Sequence, residues 1–79
     1  MNYKLLYFAS LRDAAGCSGE SVDSDARDVR GLYAELAMRH GFSFAPSSLR
    51  VAVNGAFTDW DRQLADHDEV AFLPPVSGG

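Results

Sequence analysis

The sequence predicts a single α+β domain in which a mixed sheet of four or five strands packs on one main helix. An amphipathic helical pattern occupies the middle of the chain, strand-like runs lie on both sides of it, and Asn54-Gly55 is a pair typical of a tight hairpin turn. The 79 residues are enough for one small domain, which buries about 60% of the surface that its unfolded chain exposes.

The first part of the chain predicts a hairpin. Asn2–Phe8 is rich in aromatic and branched residues, as strands are. Side-chain alternation divides it into one face with Tyr3, Leu5 and Tyr7 and another with Lys4, Leu6 and Phe8. Ser10–Ala15 predicts one helical turn, which Ser10 caps and Gly16 ends. Gly19–Val22 predicts a second strand, paired with the first.

The main helix is predicted over Asp28–His40. Asp28 is a favourable N-cap residue, and Gly41 stands where helices commonly end in a left-handed residue. Apolar side chains recur between them at helical spacing, namely Val29, Leu32, Tyr33, Leu36 and Ala37. Gly31 interrupts this pattern at a cost of about 1 kcal/mol relative to alanine, which the rest of the helix outweighs.

The second half of the chain completes the sheet. After a loop at Phe42–Ser48, three strands are predicted at Leu49–Val53, Ala56–Thr58 and Glu69–Leu73, with a polar crossover at Trp60–Asp68 that Leu64 anchors. A hairpin followed by a helix that packs across a mixed sheet is the order of elements in a β-grasp domain. We therefore predict one domain over residues 1–73 and an extended, flexible tail over residues 74–79.

Composition restricts the classes of partner and of site. Eleven acidic residues against seven basic ones give a net charge of −4, which argues against nucleic acid and anionic membranes as partners. The single cysteine, Cys17, excludes an internal disulfide, and it is expected to be a solvent-facing thiol without a role. Neither His40 nor His67 has a second ligand at metal-binding spacing, so no metal site is expected.

The location of the protein is expected to be cytoplasmic. The N-terminal segment lacks the small-residue cleavage site of a signal peptide. No run approaches the roughly 20 apolar residues that a membrane-spanning helix needs.

The last six residues suit chemistry at the chain terminus. Pro74 and Pro75 cannot donate hydrogen bonds to a sheet, so the last strand is expected to end by Leu73. Fully extended, the tail reaches about 20 Å, and Gly78 and Gly79 present only backbone to a narrow channel. The terminal carboxylate is ionised at neutral pH and is a poor electrophile. An acyl-adenylate made from it would let a sulfur nucleophile replace AMP.

Three motifs carry a resemblance to a known family. They are LLYFASLRDAAG near the start, VAVNG in the middle and LADHDEVAFLPPVSGG at the end, of which the last is the most specific. With them, nearly the whole chain resembles the small subunits of molybdopterin synthase, which are ubiquitin-like sulfur carriers.

The resemblance implies a function at the terminal glycine. A ubiquitin-activating-like enzyme, using ATP and magnesium, would adenylate Gly79, which would then become a thiocarboxylate, with Gly78 providing clearance. The tail would enter the large subunit of a molybdopterin synthase heterotetramer and donate sulfur to a cyclic pyranopterin precursor in molybdenum cofactor synthesis. The chain would bind no cofactor itself and would leave the catalytic side chains to its partners.

The face of the sheet turned away from the helix is the predicted docking surface. A single helix cannot cover both faces of a sheet, so apolar side chains that point away from it favour a binding surface. The predicted partner-binding residues are Phe8, Phe57 and Leu73, together with Pro74, Pro75 and Val76 of the tail. In the resembling family this face docks both the activating enzyme and the large subunit.

Three other functions stay open at this stage. The PPVSGG ending favours molybdopterin synthesis, but the residues also allow a sulfur carrier for thiamine synthesis, cysteine synthesis or tRNA thiolation. A ubiquitin-like protein modifier would use the same activation with an amine as the acceptor. The plainest alternative is an interaction module whose tail is inert.

Overall fold

The computed structural model describes residues 1–75 and confirms the predicted α+β class. Its strands are β1 (Asn2–Tyr7), β2 (Gly19–Asp23), β3 (Arg50–Val53), β4 (Ala56–Thr58) and β5 (Glu69–Leu73). Its helices are α1 (Ala9–Ala15) and α2 (Val29–His40), and a short 3-10 turn spans Pro46–Ser48. The five strands form one sheet in the order β2-β1-β5-β3-β4, which is the mixed sheet expected of a β-grasp domain.

The central strand β5 is parallel to its neighbour β1. Leu5 pairs with Val70 and Tyr7 pairs with Phe72. The other pairings, β1 with β2, β3 with β5 and β3 with β4, are antiparallel. Because β5 is flanked on both sides, the chain that follows it leaves from the middle of the sheet and not from an edge.

The core lies between the sheet and α2. Tyr3, Leu5 and Tyr7 of β1 are buried, as are Val70 and Phe72 of β5, so the predicted inward alternation of both strands is confirmed. From α2 the core receives Val29, Leu32, Tyr33 and Leu36. Phe72 lies at the centre, with its ring centroid 5.2 Å from that of Tyr33 and 5.8 Å from that of Trp60.

Both predicted ends of α2 are confirmed. The Asp28 side chain accepts a hydrogen bond of 2.8 Å from the Gly31 backbone amide, and Gly41 adopts a left-handed conformation with φ 74°. A Cβ atom on Gly31 would lie 3.0 Å from the capping Asp28 oxygen. The helix therefore uses its interior glycine to let the cap approach closely.

The start of α1 differs from the prediction. The helix begins at Ala9 and has seven residues, so it is longer than one turn, and Ser10 is not its cap. Phe8 holds the N-cap position in extended conformation without a side-chain cap, and its carbonyl accepts from the Leu11 amide. The helix starts directly where β1 ends, which leaves Ser10 inside the first turn. Gly16 ends the helix in a left-handed conformation, as predicted.

Smaller differences occur at strand ends. β1 ends at Tyr7 and excludes Phe8, and β3 begins at Arg50 and excludes Leu49. The Leu49 amide donates to the Pro46 carbonyl of the 3-10 turn, so it is used before the sheet begins. Leu64 is buried within the polar crossover, which confirms it as the anchor of that segment.

No helix of residues 1–75 combines the length and the apolar character that crossing a membrane requires.

Asp68 fastens the turn before β5 to the hairpin at Asn54. Its carboxylate accepts 2.8 Å from the Ala65 amide and 3.0 Å from the Asn54 side chain, and these two bonds hold the pKa of Asp68 below its usual value. We expect Asp68→Ala to lower the free energy of unfolding by about 1–2 kcal/mol at neutral pH, because charge-assisted bonds at a partly exposed site are lost.

The pH dependence of this effect has a definite sign. Because the folded-state pKa of Asp68 is lowered, its stabilisation is present above the unfolded pKa of about 3.9 and is lost as the pH falls through the folded value. Urea unfolding should therefore show a gap between wild type and Asp68→Ala that narrows in acid. Asp68→Asn is the matched control, since it keeps the shape of the side chain but cannot titrate. If wild type and Asp68→Ala differ in unfolding free energy by the same amount at neutral pH and in acid, the prediction is wrong.

Candidate docking face and tail

The outward face is the side of the sheet turned away from α2, and an apolar row crosses it. Leu6 pairs with Ala71, Ala71 with Ala52, and Ala52 with Phe57, so these four side chains lie side by side on β1, β5, β3 and β4. The two alanines form a low floor between Leu6 and Phe57. The Phe57 side chain is 61% exposed, which is unusual for an aromatic residue and leaves apolar surface open to a partner.

A second row lies closer to the end of β5. Leu73, the last residue of that strand, pairs with Arg50 of β3. The Arg50 guanidinium lies over the Phe57 ring, with 4.6 Å between its central carbon and the ring centroid. Phe8 directly follows β1 and is 44% exposed. The structure thus brings Phe57 and Leu73 together on the outward face and leaves Phe8 accessible beside the end of β1.

The charges of the outward face are unevenly placed. Lys4 and Glu69 pair with each other on neighbouring strands, with 3.8 Å between their charged atoms, at the end of the sheet where β5 begins. At the other end, beside Leu73, the cation is Arg50. Sequence reasoning missed Arg50 as a site residue, although its spacing of two from Ala52 places both on one face.

The tail begins next to Leu73, which pairs with Arg50 on the outward face. β5 ends at Leu73, as the two prolines predict. Leu73 and Pro74 are half-buried, and Pro75 is exposed. The predicted site residues Val76, Gly78 and Gly79 lie outside the described residues, and so does most of the predicted tail.

A polar cluster lies on the opposite side of the sheet, at the same end. The Tyr7 hydroxyl donates to Glu20 at 2.6 Å, and His40 Nε2 lies 2.6 Å from the same carboxylate oxygen. Burial first, and then the bond to Glu20, raises the pKa of Tyr7 far above its usual value. Burial alone would raise the pKa of Glu20, but bonds from Tyr7 and His40 lower it. The cluster ties the end of α2 to β2 behind the tail.

The remaining candidates for chemistry were Cys17 and a metal site. Cys17 is half-buried and packs against the core, so the expectation of a solvent-facing thiol is wrong. The reason is that the loop after α1 folds back on the sheet, where Tyr7 donates its amide to Ser18. Within residues 1–75, no group of three or more His, Cys, Asp or Glu side chains is arranged to hold a metal ion.

Known proteins match this chain along almost all of its length. The model of the ThiS family matches residues 5–79. The molybdopterin synthase sulfur carrier subunit of Escherichia coli is 37% identical over 96% of this chain and 98% of its own.

Several solved structures share the fold, and two of them bear on function. SAMP1 from Haloferax volcanii, a small archaeal modifier protein, superposes with a TM-score of 0.84 at 28% identity, over the whole of both chains. A chain from the complex of subunits 1 and 2 of molybdopterin-converting factor of Helicobacter pylori superposes with a TM-score of 0.70 at 25% identity, also over the whole of both.

Proposed function

Because the chain belongs to the ThiS family, we propose that it is the sulfur-carrying small subunit of a molybdopterin synthase, with Gly79 as the carrier residue. The observation that carries this proposal is the end-to-end likeness to a relative named as such a sulfur carrier subunit. The exposed outward face beside the start of the tail supports it, because a carrier must dock on a partner before its terminus can react there.

The proposed chemistry runs through the Gly79 carboxyl group. A carboxylate oxygen attacks the α-phosphorus of ATP on a separate adenylating enzyme, which holds the nucleotide and its magnesium, and pyrophosphate leaves. A persulfide then displaces AMP from the acyl carbon, and a thiol reduces the sulfur–sulfur bond to leave a thiocarboxylate. The thiocarboxylate sulfur bonds to a carbon of the pterin precursor as an oxygen substituent leaves that carbon, and water then hydrolyses the resulting thioester, which leaves the sulfur on the precursor and restores the carboxylate.

The proposed partner in the transfer step is the large subunit of the synthase. Support comes from the Helicobacter pylori structure, in which a similar chain belongs to a complex of subunits 1 and 2 of the converting factor. Phe57, Leu73 and Phe8 form the docking contacts in this proposal, and Pro74, Pro75 and Val76 guide the tail toward the active site. The catalytic side chains belong to the large subunit, and two copies of each subunit form a heterotetramer.

A mass measurement tests the proposal in the native host. We expect a fraction of the chain to be heavier than the carboxylate form by the difference between one sulfur and one oxygen. Purified thiocarboxylate chain, mixed with the large subunit and the cyclic pyranopterin precursor, should yield molybdopterin and return to the carboxylate mass. The carboxylate form is the control and should yield none. A thiocarboxylate chain that keeps its sulfur under these conditions would exclude molybdopterin synthesis and favour a thiamine, cysteine or tRNA thiolation pathway.

The similarity to the small archaeal modifier protein supports protein modification as a second candidate function. A modifier would form an isopeptide bond between Gly79 and a lysine of a target. Larger proteins would then carry the mass of this chain less one water. Immunoblots of host extracts prepared with and without a thiol reductant distinguish the protein modifier from the sulfur carrier. A conjugate joined by an isopeptide bond stays at high mass in both extracts.

A further inference from the structure

Arg50 is the feature of the outward face that an apolar contact alone leaves unexplained. It pairs across the strands with Leu73, the last residue of β5, and its guanidinium lies over Phe57. Any partner that covers Leu73 and Phe57 therefore also covers Arg50. Among the described residues no carboxylate forms an ion pair with Arg50, whereas Lys4 at the other end of the same face is paired with Glu69.

Covering this cation has a physical consequence. A charge that is removed from water without a partner is strongly disfavoured, and a guanidinium at an interface is stabilised best by a carboxylate that takes two of its hydrogen bonds. The guanidinium carbon lies 4.6 Å from the Phe57 ring centroid, and a guanidinium over an aromatic face can still donate its N–H groups to a carboxylate. The geometry suits one acidic residue set within an apolar partner surface.

We propose that the large subunit presents a carboxylate to Arg50 at the point where the tail leaves the sheet, and that this ion pair determines how the two subunits are oriented. The proposal deepens the proposed function and rests on it. The chain as a whole has a net charge of −4, so at long range it favours a basic partner. Arg50 inverts that preference locally, and a partner with a basic group at this position would be rejected.

The ion pair would also determine where the tail enters the partner. Arg50 is opposite Leu73, one residue before Pro74, so an ion pair there fixes the docked chain next to the point at which the tail departs. A rotation of the docked domain would carry the tail away from its channel. Arg50 is in this sense a positioning residue, which acts on sulfur transfer through the orientation of the tail.

Affinity for the large subunit from the same organism tests the proposal by calorimetry. Arg50→Met is the decisive variant, because it keeps a long apolar side chain and removes the charge. If the partner presents a carboxylate, Arg50→Met should bind about tenfold more weakly, and Arg50→Glu weaker still, by about a hundredfold. Arg50→Lys keeps the charge but loses the paired hydrogen bonds of the guanidinium, so it should bind more tightly than Arg50→Met and more weakly than wild type. If Arg50→Met binds as tightly as wild type or more tightly, the partner offers no carboxylate and the proposal is overturned.

A matched control separates local pairing from net charge. Arg27→Glu makes the same change in total charge as Arg50→Glu, at an exposed position just before α2, which packs on the other face. It should bind like wild type. An equal loss for Arg27→Glu and Arg50→Glu would mean that only the overall charge matters, which also overturns the proposal. A wild-type chain that does not bind the large subunit at all would instead contradict the proposed function.

A reciprocal exchange then identifies the pair. Acidic residues on the apolar surface of the large subunit are replaced one at a time by arginine and assayed against Arg50→Glu. One exchange should restore binding to within about tenfold of wild type, and the other exchanges should not. The absence of any restoring exchange would overturn the proposal.

Discussion

Deletion of Gly79 is expected to abolish sulfur transfer and to leave the unfolding midpoint of the domain unchanged. Every buried apolar side chain of residues 1–75 lies between Tyr3 and Phe72, so the core does not depend on the terminal residue. In the proposed chemistry the reacting carbon would move back by one residue, about 3.3 Å along an extended chain, and a displacement of this size removes the acyl group from a positioned nucleophile.

Adenylation and transfer assays with the truncated chain measure this effect. Single-turnover sulfur transfer should fall to background, and affinity for the large subunit should fall little, because the outward face is intact. Gly78→Val provides a second measurement at full length, since a branched side chain narrows the fit and restricts the backbone torsions. We expect a large loss of transfer with normal thermal unfolding. Normal transfer by the truncated chain would eliminate Gly79 as the carrier residue.

The Phe72→Glu variant is expected to unfold the domain. Phe72 is fully buried and packs against Tyr33 and Trp60. Loss of a buried phenylalanine side chain costs about 3–5 kcal/mol, and a carboxylate in its place adds the cost of burying a charge without a partner. A domain of this size has only about 5–15 kcal/mol of stability in total, so the folded state should not survive.

The neighbouring Leu73→Glu variant is the matched comparison and should stay folded. Leu73 is half-buried on the outward face, where a glutamate side chain reaches water and has Arg50 directly across the strands. Its complex with the large subunit should weaken by at least about tenfold, because an apolar contact is lost and Arg50 gains a competing partner. Circular dichroism melts and calorimetric titration measure the two properties separately. If Phe72→Glu stays folded and Leu73→Glu unfolds, then Leu73 and not Phe72 points into the core, and the assigned faces of β5 are wrong.

Much of this fold follows from residues that are near one another in the chain. The caps of α2 need only Asp28, Gly31 and Gly41, all within one helix and its ends. The facing of β1 and β5 follows from the alternation of apolar side chains, and the turn at Asn54-Gly55 follows from the left-handed torsions that these residues tolerate. These features were predictable because residues that are close together in the chain favour one backbone conformation over the others at each position.

The start of α1 shows where local reasoning fails. Ser10 has the chemistry of a cap, but the helix begins at Ala9, whose φ of 51° is uncommon for alanine. The junction with β1 decides the boundary, because β1 is held in the middle of the sheet as far as Tyr7. A preference of about 1 kcal/mol at the cap does not compete with the register of a buried strand.

The candidate site divides in the same way. The sequence by itself determined the class of the domain, the end of β5 before Pro74 and the outward positions of Phe57 and Leu73, because these follow from composition and from a period of two. Only the tertiary structure decided that Arg50 lies against Phe57 and across from Leu73, and that Tyr7, Glu20 and His40 meet behind the tail. Arg50 and Phe57 share one hairpin, but Leu73 and the three residues of the polar cluster come from separate parts of the chain. Strand order and register, which local propensity does not specify, bring them together.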